Sequence, residues 1–330
     1  MKTMKATAIA PSNIAFTKYW GKREGEENLR LPVNGSISMN LSNMLTTTTV
    51  EFNEDFTEDS VILKNEVIGQ REKEKVVHHL DRIRLLAKTD SRVRVVTVYN
   101  FPIGAGLSSS ASGFAALTLA ATRAIELKLS QKERSMLARQ GSGSACRSIP
   151  DGFVEWLDGD SSETSYAVSL FKPDYWDIVD IVVIVNNGRK KVPTTEGMKL
   201  AKTSPLFNHR LTNMKNKNIL CKKYIEEKKF TAFGELIEAE TLEMHSVIMT
   251  SNPPLIYWIP ETLETMLKVR QWRQEGLEVY FTINTGHNVH LIIEKKNEAS
   301  LLKKLSNEKY KNIIVNYPAI GARISSEDLF

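Results

Sequence analysis

Two spacings of apolar residues recur along the chain and sort most of it into elements. RVRVVTVYN (92–100) alternates strictly, which predicts a half-buried strand. DIVDIVVIVN (177–186) is a continuous β-branched run and predicts a strand covered on both faces. REKEKVVHHLDRIRLLAK (71–88) places its apolar residues at helical spacing and predicts an amphipathic helix. Further helices are expected over 131–140, 196–202, 206–227, 229–248 and 261–274, and strands over 278–284, 289–294 and 312–315. The segment ATAIAPSNIAFTKYWGK reads as a strand ending near Trp20, with the charged loop KREGEENLR after it. LPVNGSISMNLSNMLTTTTVEF reads as paired strands. Helices mixed with non-alternating strands predict an α+β fold of two domains, 1–174 and 175–330, meeting over a cleft.

Composition narrows the class. An apolar fraction of 42% and a charged fraction of 25% over 330 residues describe a soluble globular protein. No apolar run reaches the length of a membrane span, so no membrane partner is expected. The N-terminal stretch lacks the apolar core and small-residue cleavage site of a signal peptide. Cys146 and Cys221 are too few for a disulfide framework and fit a reducing cytoplasm. The net charge of +5 is modest and interspersed with acids, which argues against nucleic acid and for a small anionic substrate. No metal site is expected: His78 and His79 are adjacent, His245 is alone, and His287 and His290 fall three apart in a strand-like run. No internal repeat appears.

Three stretches carry candidate chemistry. In PIGAGLSSSASGFAA, Gly104 and Gly106 let the backbone bend closely, and Ser108, Ser109 and Ser110 lead into a helix beginning at about Ser110. Free N–H groups at such a helix start suit phosphate. The loop lacks the Gly-Lys-Ser/Thr ending of a Walker A motif, and no acidic ribose partner follows it as in a dinucleotide fold. A glycine-rich turn before a core helix would read the same way. In NIAFTKYWGK, Lys18, Tyr19 and Lys22 could meet a diphosphate or carboxylate, although a strand end with solvated lysines gives the same spacing. GSGSACRSIPDGFVEW holds Ser142, Ser144, Ser148 and Arg147, the last suited to bidentate capture of a carboxylate or phosphate.

Together these stretches resemble the GHMP superfamily of small-molecule kinases, and within it the diphosphomevalonate decarboxylase family. The resemblance runs through N-I-A-x-x-K-Y-W-G-K (13–22), L-P-x-N-x-S-I-S (31–38) and G-A-G-L-x-S-S-A-S-G-F-A-A-L (104–117). It continues through G-S-G-S-A-C-R-S and G-F-V-E-W (141–156), E-G-M with T-S (196–204), and M-H-S-V-I-M with N-P-P (244–254), covering nearly the whole chain in order. It implies an N-terminal domain of ribosomal-protein-S5-domain-2-like topology and a ferredoxin-like C-terminal domain. It also implies a phosphorylated mevalonate as substrate, a homodimer, and a cleft in which Arg147 holds the substrate carboxylate. Asn13, Lys18, Tyr19, Lys22, Ser142, Ser144 and Thr285 would surround the substrate, and the loop 104–110 would face phosphates.

One position departs from the family. Its C-terminal T-x-D-A-G-P-N-like stretch reads T-I-N-T-G-H-N here, with Asn284 where the acidic residue that serves as base belongs and His287 in place of proline. An amide cannot accept a hydroxyl proton as a carboxylate does. The sequence therefore leads to the expectation of an ATP-free decarboxylase. It would eliminate CO2 and the 3-phosphate from mevalonate 3,5-bisphosphate to give isopentenyl phosphate, with no cofactor. The alternative is an ATP-dependent enzyme, with ATP and Mg, that makes isopentenyl diphosphate. A third reading is a non-catalytic sensor of nucleotide or isoprenoid precursor.

Overall fold

The computed structural model describes residues 4–25, 28–64, 66–308, 310 and 312–330. Residues 26 and 27 of the expected charged loop, and residues 1–3 of the N-terminal stretch, lie outside them. Strands β1 (Met4–Ala15), β2 (Ser36–Asn53), β3 (Ser60–Leu63), β4 (Arg92–Tyr99), β5 (Phe153–Trp156) and β6 (Ala167–Phe171) build the first sheet, with helices α1 (Gln70–Ala87), α2 (Ser109–Ala124) and α3 (Gln131–Gly141) between them. A second, four-stranded antiparallel sheet holds β7 (Ile178–Val183), β8 (Tyr280–Thr282), β9 (Val289–Glu294) and β10 (Ile313–Asn316), in the order β10-β7-β9-β8. Its helices are α4 (Thr194–Lys199), α5 (Phe207–Glu226), α6 (Phe230–Met249), α7 (Pro260–Gln274) and α8 (Glu298–Asn307). The architecture is mixed α+β in two parts.

The expected break at 174 falls between β6 and β7, but the chain does not stay in its second part. Residues Arg323–Ser325 form β11, which returns to pair antiparallel with β1 at the edge of the first sheet. The 31–52 stretch is not a pair of strands. It is largely one 18-residue strand, β2, which pairs with β5 through residues 36–39 and with β4 through 46–53. The alternation that suggested two strands comes from one strand changing partners along its length. The first strand stops at Ala15, not near Trp20. Strands β3, β5, β6 and β11 and helix α8 were not anticipated.

Packing follows the side chains. Helix α2 presents Ala111, Ala115, Ala116, Ala120 and Ala121, all without exposed surface, so it can lie close against β1 and β2. β7 is buried at every position, as its β-branched run predicts. One of its faces (Val179, Ile181, Val183) packs with Val269 and Trp272 of α7 and Leu301 of α8. The other joins Ile178 and Val182 to Phe233 of α6 and to Ile14, Ile37 and Met39 of the first sheet. This shared core ties the two parts across the cleft. The buried carboxylate in β7, Asp180, is satisfied by His290 Nδ1 at 3.0 Å and Asn316 Nδ2 at 3.3 Å.

Candidate active site

The cleft between the two parts holds a cavity of about 340 Å³. Its walls include Lys18, Tyr19 and Lys22 after β1, the loop 104–110, Ser142 and Ser144 after α3, Arg147, and Asn284 and Thr285 after β8. Asn13 does not line it. It stands behind Arg147, accepting from Nη2 at 3.1 Å through Oδ1 while its own amide donates to Ser148 Oγ at 2.8 Å. Arg147 Nη1 donates to Ser36 Oγ at 2.8 Å, and the guanidinium lies 5.8 Å from the Trp156 ring. Arg147 is 3% exposed and its contacts are all neutral, so burial pulls its pKa down. Its Nε and the Tyr19 hydroxyl are buried polar atoms without a hydrogen-bond partner among the described residues, and both residues line the cavity. Such donors suit an anionic ligand.

The phosphate loop takes its shape from left-handed backbone. Gly104 (φ +75°) and Gly106 (φ +86°) permit the turn, and Ser108 (φ 56°) caps α2 without a side-chain cap bond. No side chain caps the start of α2, although the Ala111 N–H donates to Ser108 O at 2.8 Å. Ser110 Oγ lies 3.3 Å from Ser142 Oγ.

Asn284 sits at the meeting point of the two parts. Its Nδ2 donates to Ser108 Oγ at 2.9 Å, its Oδ1 accepts from Lys18 Nζ at 3.3 Å, and its carbonyl meets His245 Nε2 at 3.0 Å. Lys18 Nζ also donates to Ala15 O and to Thr282 Oγ1, each at 2.6 Å. Burial outweighs every charge around Lys18 and lowers its pKa to about 7. Glu240 opposes the shift, while Arg147 and Arg210 add to it. Burial likewise keeps His245 neutral, with a pKa of about 3.

Two features were not singled out from the sequence. Lys190 donates to Thr194 Oγ1 at 2.5 Å, Thr285 O at 2.6 Å and Thr285 Oγ1 at 3.1 Å, and burial brings its pKa to about 7. The only signal for it was a basic run, GRKK, soon after a buried strand. The second feature is a charge cluster beneath Lys18: Glu240 pairs with Arg210 and with Lys217 (2.9 Å) and accepts the Lys18 backbone N–H at 3.0 Å. Its members are far apart in the sequence, so spacing could not reveal it.

The same cavity also has an apolar compartment built from Ile62 of β3, Val95 and Tyr99 of β4, Ile103, and Phe114 and Leu117 of α2, with Thr97 of β4 and Glu72 and Lys75 of α1 also on the cavity wall. Among the described residues no group of three His, Cys, Asp or Glu could hold a metal ion, and no helix is long and apolar enough to cross a membrane.

Known proteins share this arrangement. Residues 10–167 match the family model described as diphosphomevalonate decarboxylase-like N-terminal domain, and 180–317 match the mevalonate 5-diphosphate decarboxylase C-terminal domain. Diphosphomevalonate decarboxylase of Debaryomyces hansenii is 35% identical over 324 residues, spanning 92% of this chain and 82% of its own. The Saccharomyces cerevisiae protein of the same name is 33% identical over 91% of this chain and 81% of its own. The crystal structure of mevalonate diphosphate decarboxylase from Staphylococcus aureus superimposes with a TM-score of 0.92 at 39% identity, covering 98% of both chains. That of the Enterococcus faecalis enzyme, described for its mevalonate diphosphate-mediated ATP binding, gives 0.91 at 36%, covering 98% of this chain and all of the other. The chain belongs to the diphosphomevalonate decarboxylase family, the carboxy-lyases of the mevalonate pathway.

Proposed function

We propose that the protein uses ATP to phosphorylate the 3-hydroxyl of mevalonate 5-diphosphate and then expels that phosphate with CO2, giving isopentenyl diphosphate. This reverses the preference for an ATP-free enzyme drawn from Asn284 alone. The observation that carries it is the apolar compartment beside the Gly/Ser loop. A phosphorylated mevalonate offers little apolar surface to fill such a space, whereas a purine fills it with its phosphates at the loop. The ATP binding described for the Enterococcus faecalis relative points the same way.

In this reading Lys18, Lys22, Tyr19 and Lys190 supply the positive and hydrogen-bonding surface for phosphates. Arg147, fixed by Ser36 and Asn13, holds the substrate carboxylate so that the C–CO2 bond aligns with the departing phosphate. A magnesium ion brought with ATP would be carried by phosphate oxygens and the loop hydroxyls, which are oxygen donors of the kind it prefers, since no protein cage is present among the described residues.

Asn284 favours a second reading, in which a separate kinase supplies mevalonate 3,5-bisphosphate and this protein performs only the elimination. One assay separates the two. Purified protein is given mevalonate 5-diphosphate with ATP, or mevalonate 3,5-bisphosphate without it, and ADP and CO2 are followed. Equal ADP and CO2 from the first mixture is the expected result. CO2 from the second alone, with no ADP from the first, would replace this proposal with the ATP-free enzyme.

A further inference from the structure

Lys18 is a buried cation whose three hydrogen-bond acceptors, Ala15 O, Thr282 Oγ1 and Asn284 Oδ1, are all neutral. The charged and titratable groups around it come from several elements. Glu240 of α6 takes the Lys18 backbone N–H rather than its ammonium, and it is already neutralised by Arg210 and Lys217 of α5. Arg147 and Arg210 repel the ammonium. Asp180 of β7 is engaged by His290 of β9, and His245 of α6 is neutral. A carboxylate at position 284 would supply the missing counter-ion 3.3 Å away; the amide does not. An ammonium held so is readily made neutral, and burial brings its pKa to about 7.

We propose that the neutral amine of Lys18 accepts the proton of the substrate 3-hydroxyl, the task that Asn284 cannot perform. The inference rests on the ATP-dependent reading. In the first step the hydroxyl O–H bond breaks and its proton goes to the Nζ lone pair. The oxygen then bonds to the γ-phosphorus as the bond to the β–γ bridging oxygen breaks, and ADP leaves with that electron pair. In the second step the C–CO2 bond breaks and its pair forms the new double bond. The C3–O bond cleaves and phosphate leaves with the electron pair, after which Lys18 returns its proton to water.

The amine changes charge in the useful direction. A carboxylate that accepts the proton becomes neutral, whereas the amine becomes a cation beside the newly formed 3-phosphate. The positive charge therefore appears when the leaving group needs it. Asn284 fits this role as the acceptor that orients one of the two N–H bonds of the neutral amine, with Ala15 O holding the other. The third contact around Nζ, Thr282 Oγ1 at 2.6 Å, must be given up for the lone pair to meet the substrate.

The test is the pH dependence of ADP release from mevalonate 5-diphosphate and ATP. The unmodified protein should lose about tenfold in kcat per pH unit below a limb near 7. Asn284→Asp should move that limb down by more than a unit, because a carboxylate then takes the proton. Lys18→Arg keeps the charge but cannot be deprotonated. It should lose about 100-fold or more in ADP release while still releasing CO2 from mevalonate 3,5-bisphosphate, a step that needs only the cation. ADP release without a limb near 7, a limb unmoved by Asn284→Asp, or ADP release preserved in Lys18→Arg would each overturn the assignment of Lys18 while leaving the ATP-dependent reading intact. No ADP from the unmodified protein would overturn both. Should Lys18→Arg not fold, as judged by circular dichroism, the pH profiles of the other two proteins decide.

Discussion

Gly106 and Gly286 touch across the cleft: a Cβ on either glycine would stand 2.5 Å from the other's Cα. The phosphate loop of the first part thus leans directly on the turn that carries Asn284 and Thr285. Gly106→Ala should cost about 1–3 kcal/mol, since φ of +86° strains any side chain and the neighbour is backbone that cannot rotate away. Gly276→Ala is the control, with φ of +93° and nothing within 4 Å of the added carbon. Urea denaturation of both should show a larger loss at Gly106, and ATP binding should fall only there. Equal losses would mean that backbone strain alone matters and that the contact across the cleft does not.

Arg147 has the opposite balance of stability and function. It is buried, its hydrogen bonds go to neutral groups, and its Nε has no partner among the described residues. A buried charge so held is a burden on the fold. Arg147→Met should therefore leave the melting temperature unchanged or higher, while CO2 release drops by about 100-fold or more because the carboxylate loses its anchor. A variant that melts early would make Arg147 a structural residue.

The candidate site was legible where chemistry is dense in sequence. Lys18, Tyr19 and Lys22 lie within five residues, and Gly104 to Ser110 form one loop, so they could carry a family resemblance even though spacing alone fits a strand end with solvated lysines better. Motif reading missed Lys190 because a single cation in a basic run has no distinctive neighbour until the fold sets Thr194 and Thr285 against it. The fold was legible where periodicity is long, as in α1 and β4. It failed at β3, β5 and β6, which have four or five residues each, while the equally short β10 was legible from its unbroken apolar run IIV. Asn284 shows a different limit. Its identity alone fits an enzyme without ATP, whereas the apolar compartment assembled from β3, β4 and α2 fits a nucleotide base.

That compartment is open to a direct test at Ile62, which lines it from β3 and is 41% exposed, so a substitution there should spare the core. Ile62→Asp places a negative charge where a purine would pack. The KM for ATP should rise about tenfold, the equivalent of about 1.4 kcal/mol, with a much smaller change in KM for mevalonate 5-diphosphate. Equal changes for both ligands would remove the assignment of this compartment to the nucleotide base.

Lys18 also gives the folding stability a predictable slope with pH. Its pKa is about 7 in the folded protein against 10.5 for an ordinary lysine. Between those values the unfolded chain holds a proton that the folded one does not, so this group makes stability rise with pH. Below about 7 both states are protonated and the full penalty of the buried charge applies. Above 10.5 neither is, and the penalty is gone. Lys18→Met should accordingly be more stable than the parent at pH 6. The advantage should shrink by up to about 1.4 kcal/mol per pH unit through the middle of the window. Denaturation midpoints of the two proteins, measured side by side from pH 6 to about 9.5, test this. Parallel curves would mean that Lys18 keeps an ordinary pKa in the folded state, and with that the amine could not act as the proton acceptor at neutral pH.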